Sequence, residues 1–202
     1  MTGGREELAK ALYDHGCVRF GTFTLKSGLT SPIYIDLRLL VSYPALLERV
    51  AEELAAAAEG LDFDRIAAIP YAALPIGVAM ALRMDRPMVY PRRETKAHGT
   101  RRAIEGAFEA GETALVVDDL ITRGGSKLEA IEALEAAEMV VREVLVLIDR
   151  EQGGAGDLAE RGYQLHTVLT LPELLAALVE SGRITGEQYG EVLDYLEQTR
   201  SG

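Results

Sequence analysis

Residues Thr113 to Lys127 read TALVVDDLITRGGSK. The run Thr113 to Val117 is short and apolar, the pattern of a strand buried on both faces inside a parallel sheet. Two carboxylates, Asp118 and Asp119, follow where that strand is expected to emerge. A polar loop, Thr122-Arg123-Gly124-Gly125-Ser126, comes next, and a helical pattern runs from Lys127 to Ala137. Glycines and hydroxyls ahead of a helix N-terminus present unpaired backbone N–H groups, side-chain donors and the positive end of the helix dipole. That combination suits an anion, and a phosphate best of all. The acid pair beside this cradle repels phosphate, so it must serve another part of the same ligand. The vicinal hydroxyls of a ribose fit, because a carboxylate accepts two hydrogen bonds from a diol and stabilises positive charge developing on the ring.

Composition narrows the field. A chain of 202 residues with 48% hydrophobic and 26% charged residues is expected to form one globular domain with a real core. No apolar run approaches the roughly 18 residues of a membrane span, and the first residues lack signal-peptide architecture, so a cytoplasmic protein is expected. The lone cysteine, Cys17, excludes an internal disulfide and a cysteine-based zinc site. His15, His98 and His166 show no metal-ligand spacing. A net charge of −11 argues against nucleic-acid or polybasic membrane contact. Yet five of the 21 Lys and Arg residues fall between Arg92 and Arg102, which points to a compact polyanionic ligand.

Along the chain, Glu6 to His15 reads as an amphipathic helix. Two β-like runs, Val18 to Leu25 and Ile33 to Leu37, flank the turn Lys26-Ser27-Gly28. Pro44 to Ala58 and Leu74 to Arg83 read as helices, and Arg65 to Ile69, Pro87 to Tyr90 and Ile104 to Phe108 as strands. Pro70-Tyr71-Ala72-Ala73 is a tight strand-to-helix turn whose backbone N–H groups suit a second anion. Residues 91–102 carry almost no apolar side chain and read as an exposed loop. Val140 to Ile148 is an apolar strand ending at Asp149-Arg150-Glu151-Gln152-Gly153-Gly154, and Tyr163 to Leu169 is another strand. Arg150 either grips a ligand or pairs with Asp149 or Glu151 on the surface. Thr170-Leu171-Pro172-Glu173 and Thr185-Gly186-Glu187-Gln188 are capping-box patterns opening two helices whose apolar stripes serve core or interface. Two other patterns fail. Gly154 to Ala159 matches GxGxxA, but the stretch Asp149 to Gly153 separates strand from first glycine and no acid closes the next strand. Gly124-Gly125-Ser126-Lys127 has P-loop letters in the wrong order. Strands alternating with helices from Arg65 to Leu169 predict an α/β fold, a mostly parallel twisted sheet flanked by helices, with ligand loops at strand C-termini.

The order apolar-apolar-Asp-Asp-x-x-Thr-x-Gly-x-Ser resembles the phosphoribosyl-pyrophosphate (PRPP) motif of type I phosphoribosyltransferases. FGTFTLKSGLTSPIYIDLR (Phe20 to Arg38), IPYAALP around Tyr71, the Arg92 to Gly99 segment and DREQGG from Asp149 together resemble orotate phosphoribosyltransferases, especially the form in bifunctional uridine-monophosphate synthase. The resemblance covers about Phe20 to Leu175. It implies the type I fold, with residues 1–40 as an N-terminal hood, 41–170 as α/β core and 171–202 as C-terminal helices. It also implies transfer of phosphoribose from PRPP to orotate, with Mg²⁺ held mainly by PRPP and water near Asp118 and Asp119 rather than by direct protein ligands.

Carried over residue by residue, the resemblance sets Asp118 and Asp119 at the ribose and Thr122, Arg123, Gly124, Gly125 and Ser126 at the 5′-phosphate. Lys26 reaches both orotate and pyrophosphate, Tyr71 and Ala72 line the pyrophosphate turn, and Arg92, Arg93, Lys96 and His98 form a catalytic loop. Tyr34, Thr122 and Arg150 contact orotate, with the Arg150 fork on its carboxylate. Lys96 neutralises departing pyrophosphate, and the proton donor is open between Lys96 and His98. The sequence departs from the family at Ala72 and Arg93, where lysine is usual. A homodimer sharing loop 92–102 between subunits is implied, with no nucleic-acid or membrane partner. The chain length leaves no room for a decarboxylase domain, so a monofunctional protein is expected. A phosphoribosyltransferase for another base and a non-catalytic ligand sensor are the competing readings.

Overall fold

The computed structural model describes residues 3–24, 28, 30–92 and 103–200. Helix α1 (Gly3–Asp14) leads into β1 (Val18–Thr24) and β2 (Thr30–Ile35), an antiparallel pair forming a two-stranded sheet of its own. A 3-10 turn, Leu37–Ser42, opens with the Asp36 carboxylate accepting the Arg38 N–H at 3.2 Å. Next come α2 (Pro44–Ala57), β3 (Arg65–Ala68), α3 (Ala73–Met84), β4 (Met88–Pro91), β5 (Ile104–Glu105) and β6 (Thr113–Ile121). The remaining elements are α4 (Gly125–Glu135), β7 (Val140–Asp149), α5 (Gly154–Ala159), β8 (Gln164–Thr170), α6 (Leu171–Glu180) and α7 (Gly186–Arg200). Among the described residues, no helix is long and apolar enough to cross a membrane.

The six-stranded sheet runs β5-β4-β3-β6-β7-β8, parallel throughout except where β5 pairs antiparallel with β4. Its strands are apolar on both faces because both are covered. Leu115 and Val117 of β6 and Leu145 and Leu147 of β7 pack with α1, α2 and α6, whereas Ala114, Val116, Val144 and Val146 pack with Ala130, Ile131 and Leu134 of α4. This period-2 division sorts one continuous apolar run into two cores. Each large aliphatic side chain so buried contributes about 1.5–3 kcal/mol. Both anticipated capping boxes form. The Thr170 Oγ1 accepts the Glu173 N–H while Glu173 accepts the Thr170 N–H, and Thr185 and Gln188 do the same for α7.

Several boundaries differ from the sequence reading, and two of them shape the sheet beside the site. The strand expected over Ile104 to Phe108 stops at Glu105, because Gly106 turns the chain with φ 101°. A Cβ on Gly106 would lie 2.9 Å from the Met88 carbonyl oxygen, so glycine is needed for this turn to sit against β4. More consequentially, β6 does not end at Val117. The β3–β6 ladder finishes at Ala68↔Val117, but β6 continues to Ile121 with only β7 beside it, through Asp118↔Val146, Leu120↔Ile148 and Ile121↔Asp149.

The chain leaves β3 toward β4 on one side, and leaves β6 toward β7 and β8 on the other. The boundary between β3 and β6 is therefore the topological switch point, where open α/β sheets bind ligands outside their strand C-termini. Divergence of β3 from β6 beyond Val117 opens the sheet at that point.

Helix α3 approaches β3 closely at Gly77, where an added Cβ would meet the Ala68 Cβ at 2.6 Å and the Met88 sulfur at 3.3 Å. Gly77→Ala is expected to cost about 1–3 kcal/mol through overpacking, lowering Tm by roughly 3–10 °C in thermal unfolding. An unchanged Tm contradicts this packing.

Candidate active site

The C-terminal extension of β6 carries Asp118 and Asp119, and the two are treated differently by their surroundings. Asp118 is 6% exposed and has both carboxylate oxygens engaged. Its Oδ1 accepts the Asp119 N–H at 2.9 Å, and its Oδ2 lies 2.6 Å from Lys127 Nζ. Asp119 is half-buried, and its Oδ1 accepts the Leu120 N–H at 2.9 Å. Burial first, then the charge of Asp118, push the Asp119 carboxyl from the ordinary 3.8 up to about 7.

Lys127 is a residue the sequence reading passed over. It is 4% exposed, and its ammonium donates to Leu120 O at 2.6 Å and Ser126 Oγ at 3.4 Å besides pairing with Asp118. A signal was present: Lys127, Ile131 and Leu134 share the buried stripe of α4, so a cation occupies a core position. Removing one partner of such a buried pair costs about 3–5 kcal/mol, because the other charge is left uncompensated.

The loop after β6 is divided as well. Helix α4 begins at Gly125, two residues before the expected Lys127. The Gly124 N–H donates to Asp157 Oδ2 of α5 at 2.9 Å, and a Cβ on Gly124 would lie 2.8 Å from the Asp157 Cβ. Gly124 therefore seats α5 against the loop. Gly125 and Ser126 are exposed, and their N–H groups belong to the first turn of α4, which has no intrahelical acceptors for them. Thr122 is half-buried and its carbonyl accepts the Gly154 N–H at 3.2 Å. Arg123 is exposed and turned toward Gly153, whose ideal Cβ position is 2.6 Å from Arg123 Nη1.

Arg150 follows β7 on the same edge, tied there by its N–H to Ile121 O at 3.0 Å. Among the described residues its Nε and Nη2 are buried with no hydrogen-bond partner. Burial lowers its pKa, offset by the neighbouring Tyr195 hydroxyl. Each unmet buried donor costs about 1–3 kcal/mol, so this guanidinium has capacity for a further acceptor. The Asp149 Oδ1, one partner weighed for Arg150, accepts the Glu151 N–H at 2.7 Å. Helix α7, read from sequence as core or interface alone, reaches this loop through Tyr195 and through Thr199, which accepts a hydrogen bond from Gln152 Nε2.

On the β3 side, Ile69 N–H donates to Val117 O at 3.0 Å, the Pro70–Tyr71 peptide is cis, Tyr71 is 63% exposed and Ala72 precedes α3. Asp119, the 122–126 loop, the 70–72 turn and Arg150 thus share one end of the sheet. Arg92 pairs with Glu105 across β4 and β5, and its N–H donates to Ala103 O at 2.8 Å. Tyr34 interacts within its own segment, with the Phe23 ring at 5.4 Å, the Arg19 guanidinium at 5.1 Å, and Arg38 donating to its hydroxyl at 3.1 Å. Lys26, Arg93, Lys96 and His98 lie outside the described residues. Among the described residues no cluster of three or more His, Cys, Asp or Glu side chains forms a metal cage.

Comparison with known proteins matches residues 42–160 to the phosphoribosyl transferase domain. The chain is 43% identical to the orotate phosphoribosyltransferase of Pyrobaculum aerophilum over 194 residues, covering 96% of this chain and 100% of that protein. The solved Leishmania donovani UMP synthase matches with a TM-score of 0.90 and 47% identity over 97% of this chain and 43% of that one. A Mycobacterium tuberculosis orotate phosphoribosyltransferase solved in complex with PRPP matches with a TM-score of 0.70 and 26% identity, covering 85% of this chain and 98% of that one. The chain spans 38% and 40% of the length of the first two curated relatives it matches.

The raised Asp119 carboxyl gives a signed pH dependence. Between pH 4 and 7 the folded state keeps a proton that the unfolded chain has released, so this residue's contribution to stability falls as pH rises and is lowest above about 7. Asp119→Asn removes that penalty. Its Tm relative to wild type is expected to be about 3–6 °C more favourable at pH 8 than at pH 4. Equal differences at both pH values contradict the assignment.

Proposed function

The chain belongs to the phosphoribosyltransferase family, among the orotate phosphoribosyltransferases, and from that premise we propose that it transfers the 5-phosphoribosyl group of PRPP to orotate, giving orotidine 5′-monophosphate and pyrophosphate in pyrimidine nucleotide synthesis. The observation that carries the reading is the meeting, at one sheet edge, of an acidic tandem, a helix-opening loop and a buried guanidinium with unmet donors. Each suits a different part of one reacting pair.

The 5′-phosphate takes the exposed N–H groups of Gly125 and Ser126, with the Thr122 and Ser126 hydroxyls and Arg123, while Gly124 holds the loop against α5. The carboxylates Asp118 and Asp119 lie beside the ribose. Departure of pyrophosphate leaves positive charge on the sugar ring, and a carboxylate there stabilises it in the transition state. The Arg150 fork receives the orotate carboxylate, a planar acceptor matched to its donors. Pyrophosphate falls to the Tyr71–Ala72 turn and to Lys26, Arg92, Arg93, Lys96 and His98. Arg92 must exchange Glu105 for the ligand to do so. Lys96 neutralises the growing charge, with Lys96 or His98 as proton donor, and Thr122 and Tyr34 complete the base contacts.

The donor set also fits Mg²⁺ brought by the substrate. Asp118 is engaged by Lys127, which leaves Asp119 as the half-buried carboxylate beside the phosphate loop. Mg²⁺ keeps much of its water and is usually held by one or two carboxylates plus substrate phosphates. When bound it would offset the charge on the leaving pyrophosphate. A homodimer is supported by the exposed apolar side chains Val41, Val78 and Leu82, the last 80% exposed, with residues 92–102 serving the neighbouring subunit. The hairpin of residues 1–40 is proposed as the hood that brings Lys26 to the site.

The direct test supplies Mg²⁺, PRPP and orotate and follows nucleotide formation, beside a panel of other bases. Orotate is expected to be preferred. Turnover only with a purine contradicts the base assignment, and no turnover with any base contradicts the enzyme. Asp119→Asn and Lys96→Ala are each expected to lose at least about tenfold in kcat, some 1.4 kcal/mol, while folded. Arg150→Leu is expected to raise the KM for orotate and not that for PRPP. Wild-type constants would remove the residue concerned from its role.

A further inference from the structure

Lys127 lies past the phosphate loop, on a helix, where a cation ordinarily faces water. Instead it is buried, with three acceptors drawn from three places in the site's frame: Asp118 Oδ2 at 2.6 Å, Leu120 O at 2.6 Å and Ser126 Oγ at 3.4 Å. The first two lie on the β6 extension and the third in the first turn of α4, so a single ammonium pins both ends of the intervening loop. A compact ammonium with three rotatable donors can reach acceptors arranged this way, which the planar fork of arginine cannot. Together with the Asp119 N–H, it also occupies both oxygens of Asp118.

Resting on the reading of this cleft as a PRPP site, we propose that Lys127 is a positioning residue that divides the acidic tandem, holding Asp118 as a charge-neutralised strut and leaving Asp119 to receive the sugar hydroxyls. The consequence is electrostatic as well as geometric. The Asp118–Lys127 pair carries no net charge, so the tandem presents one negative charge, not two, to a polyanionic ligand. Near a low-dielectric wall, a second unscreened carboxylate beside phosphate would be strongly repulsive. The loop is preorganised at the same time, since its entry carbonyl and its exit hydroxyl share one donor.

Two variants test whether the strut matters to PRPP, and a complex tells whether Asp118 itself meets the sugar. Lys127→Met leaves Asp118 buried and charged, so loss of folding is a possible result. The double variant Asp118→Asn with Lys127→Met carries no unpaired buried charge and is expected to keep a Tm near wild type. In that double variant the KM for PRPP is expected to rise about tenfold or more, the size typical of lost supporting contacts, with the KM for orotate unchanged. A folded double variant with a wild-type KM for PRPP overturns the proposal.

A wild-type crystal structure with PRPP and Mg²⁺ decides independently of any variant. Lys127 Nζ should stay on Asp118 while the sugar hydroxyls meet Asp119. A complex in which Asp118 leaves Lys127 and reaches the sugar overturns the division. Wild-type turnover measured alongside keeps the two questions apart. Its absence contradicts the PRPP reading, whereas turnover with indifferent variants contradicts only the role of Lys127.

Discussion

Strand β6 outruns β3, and the site depends on that mismatch. Up to Val117 the two strands are zipped in parallel, and beyond it β6 has only β7 for company. Polar residues in the middle of a doubly covered sheet would be costly, yet Asp118 and Asp119 sit on a regular strand. They are tolerated there because β3 has already turned away. Pairing with β7 keeps their backbone rigid, and the break in the sheet gives Asp119 its opening. The same place is where the chain reverses its direction of travel across the sheet, so the turns after β3, β6 and β7 arrive together.

The electrostatics follow from this crowding. Two adjacent carboxylates at a half-closed edge cannot both be comfortable, and the fold resolves the conflict unequally. Lys127 satisfies Asp118, while Asp119 is left with its carboxyl pushed up by burial and by its neighbour's charge. Arg150 is the complementary case, a cation drawn inside with two donors unmet among the described residues. Both arrangements lower stability, and in the proposed reaction a ligand offering hydroxyls to one and a carboxylate to the other would relieve them. Such local destabilisation is a common cost of preorganised binding. A net charge of −11 opposes a polyanion, so the proposed ligand calls for positive groups concentrated locally.

Much of the architecture was legible in the residues. Apolar runs of two-sided strands, helical stripes and the Thr170 and Thr185 capping boxes follow short-range rules, and the structure keeps them. What the sequence hid depends on neighbours far along the chain. An Asp-Asp pair reads as the end of a strand, and only the register with β7 extends it to Ile121. Gly124 looks like one more phosphate donor until Asp157, from α5, takes its N–H. Lys127 reads only as the start of a helix, because its partner stands on a different element. Tyr195 and Thr199 lie on a helix with no motif, and tertiary packing alone brings them to Arg150 and Gln152. The roles proposed for Lys26, Arg93, Lys96 and His98, which lie outside the described residues, rest on family resemblance.

The proposed function seats a sugar diphosphate where β3 and β6 part, with its hydroxyls on Asp119 and its 5′-phosphate at the opening of α4. Isothermal titration calorimetry of PRPP with Mg²⁺, into wild type and into Asp119→Asn, tests that seat most directly. Saturable heat approaching one PRPP per chain is expected for wild type, with binding weakened in the variant. Equal binding by both proteins, or no heat from wild type at millimolar ligand, would contradict it.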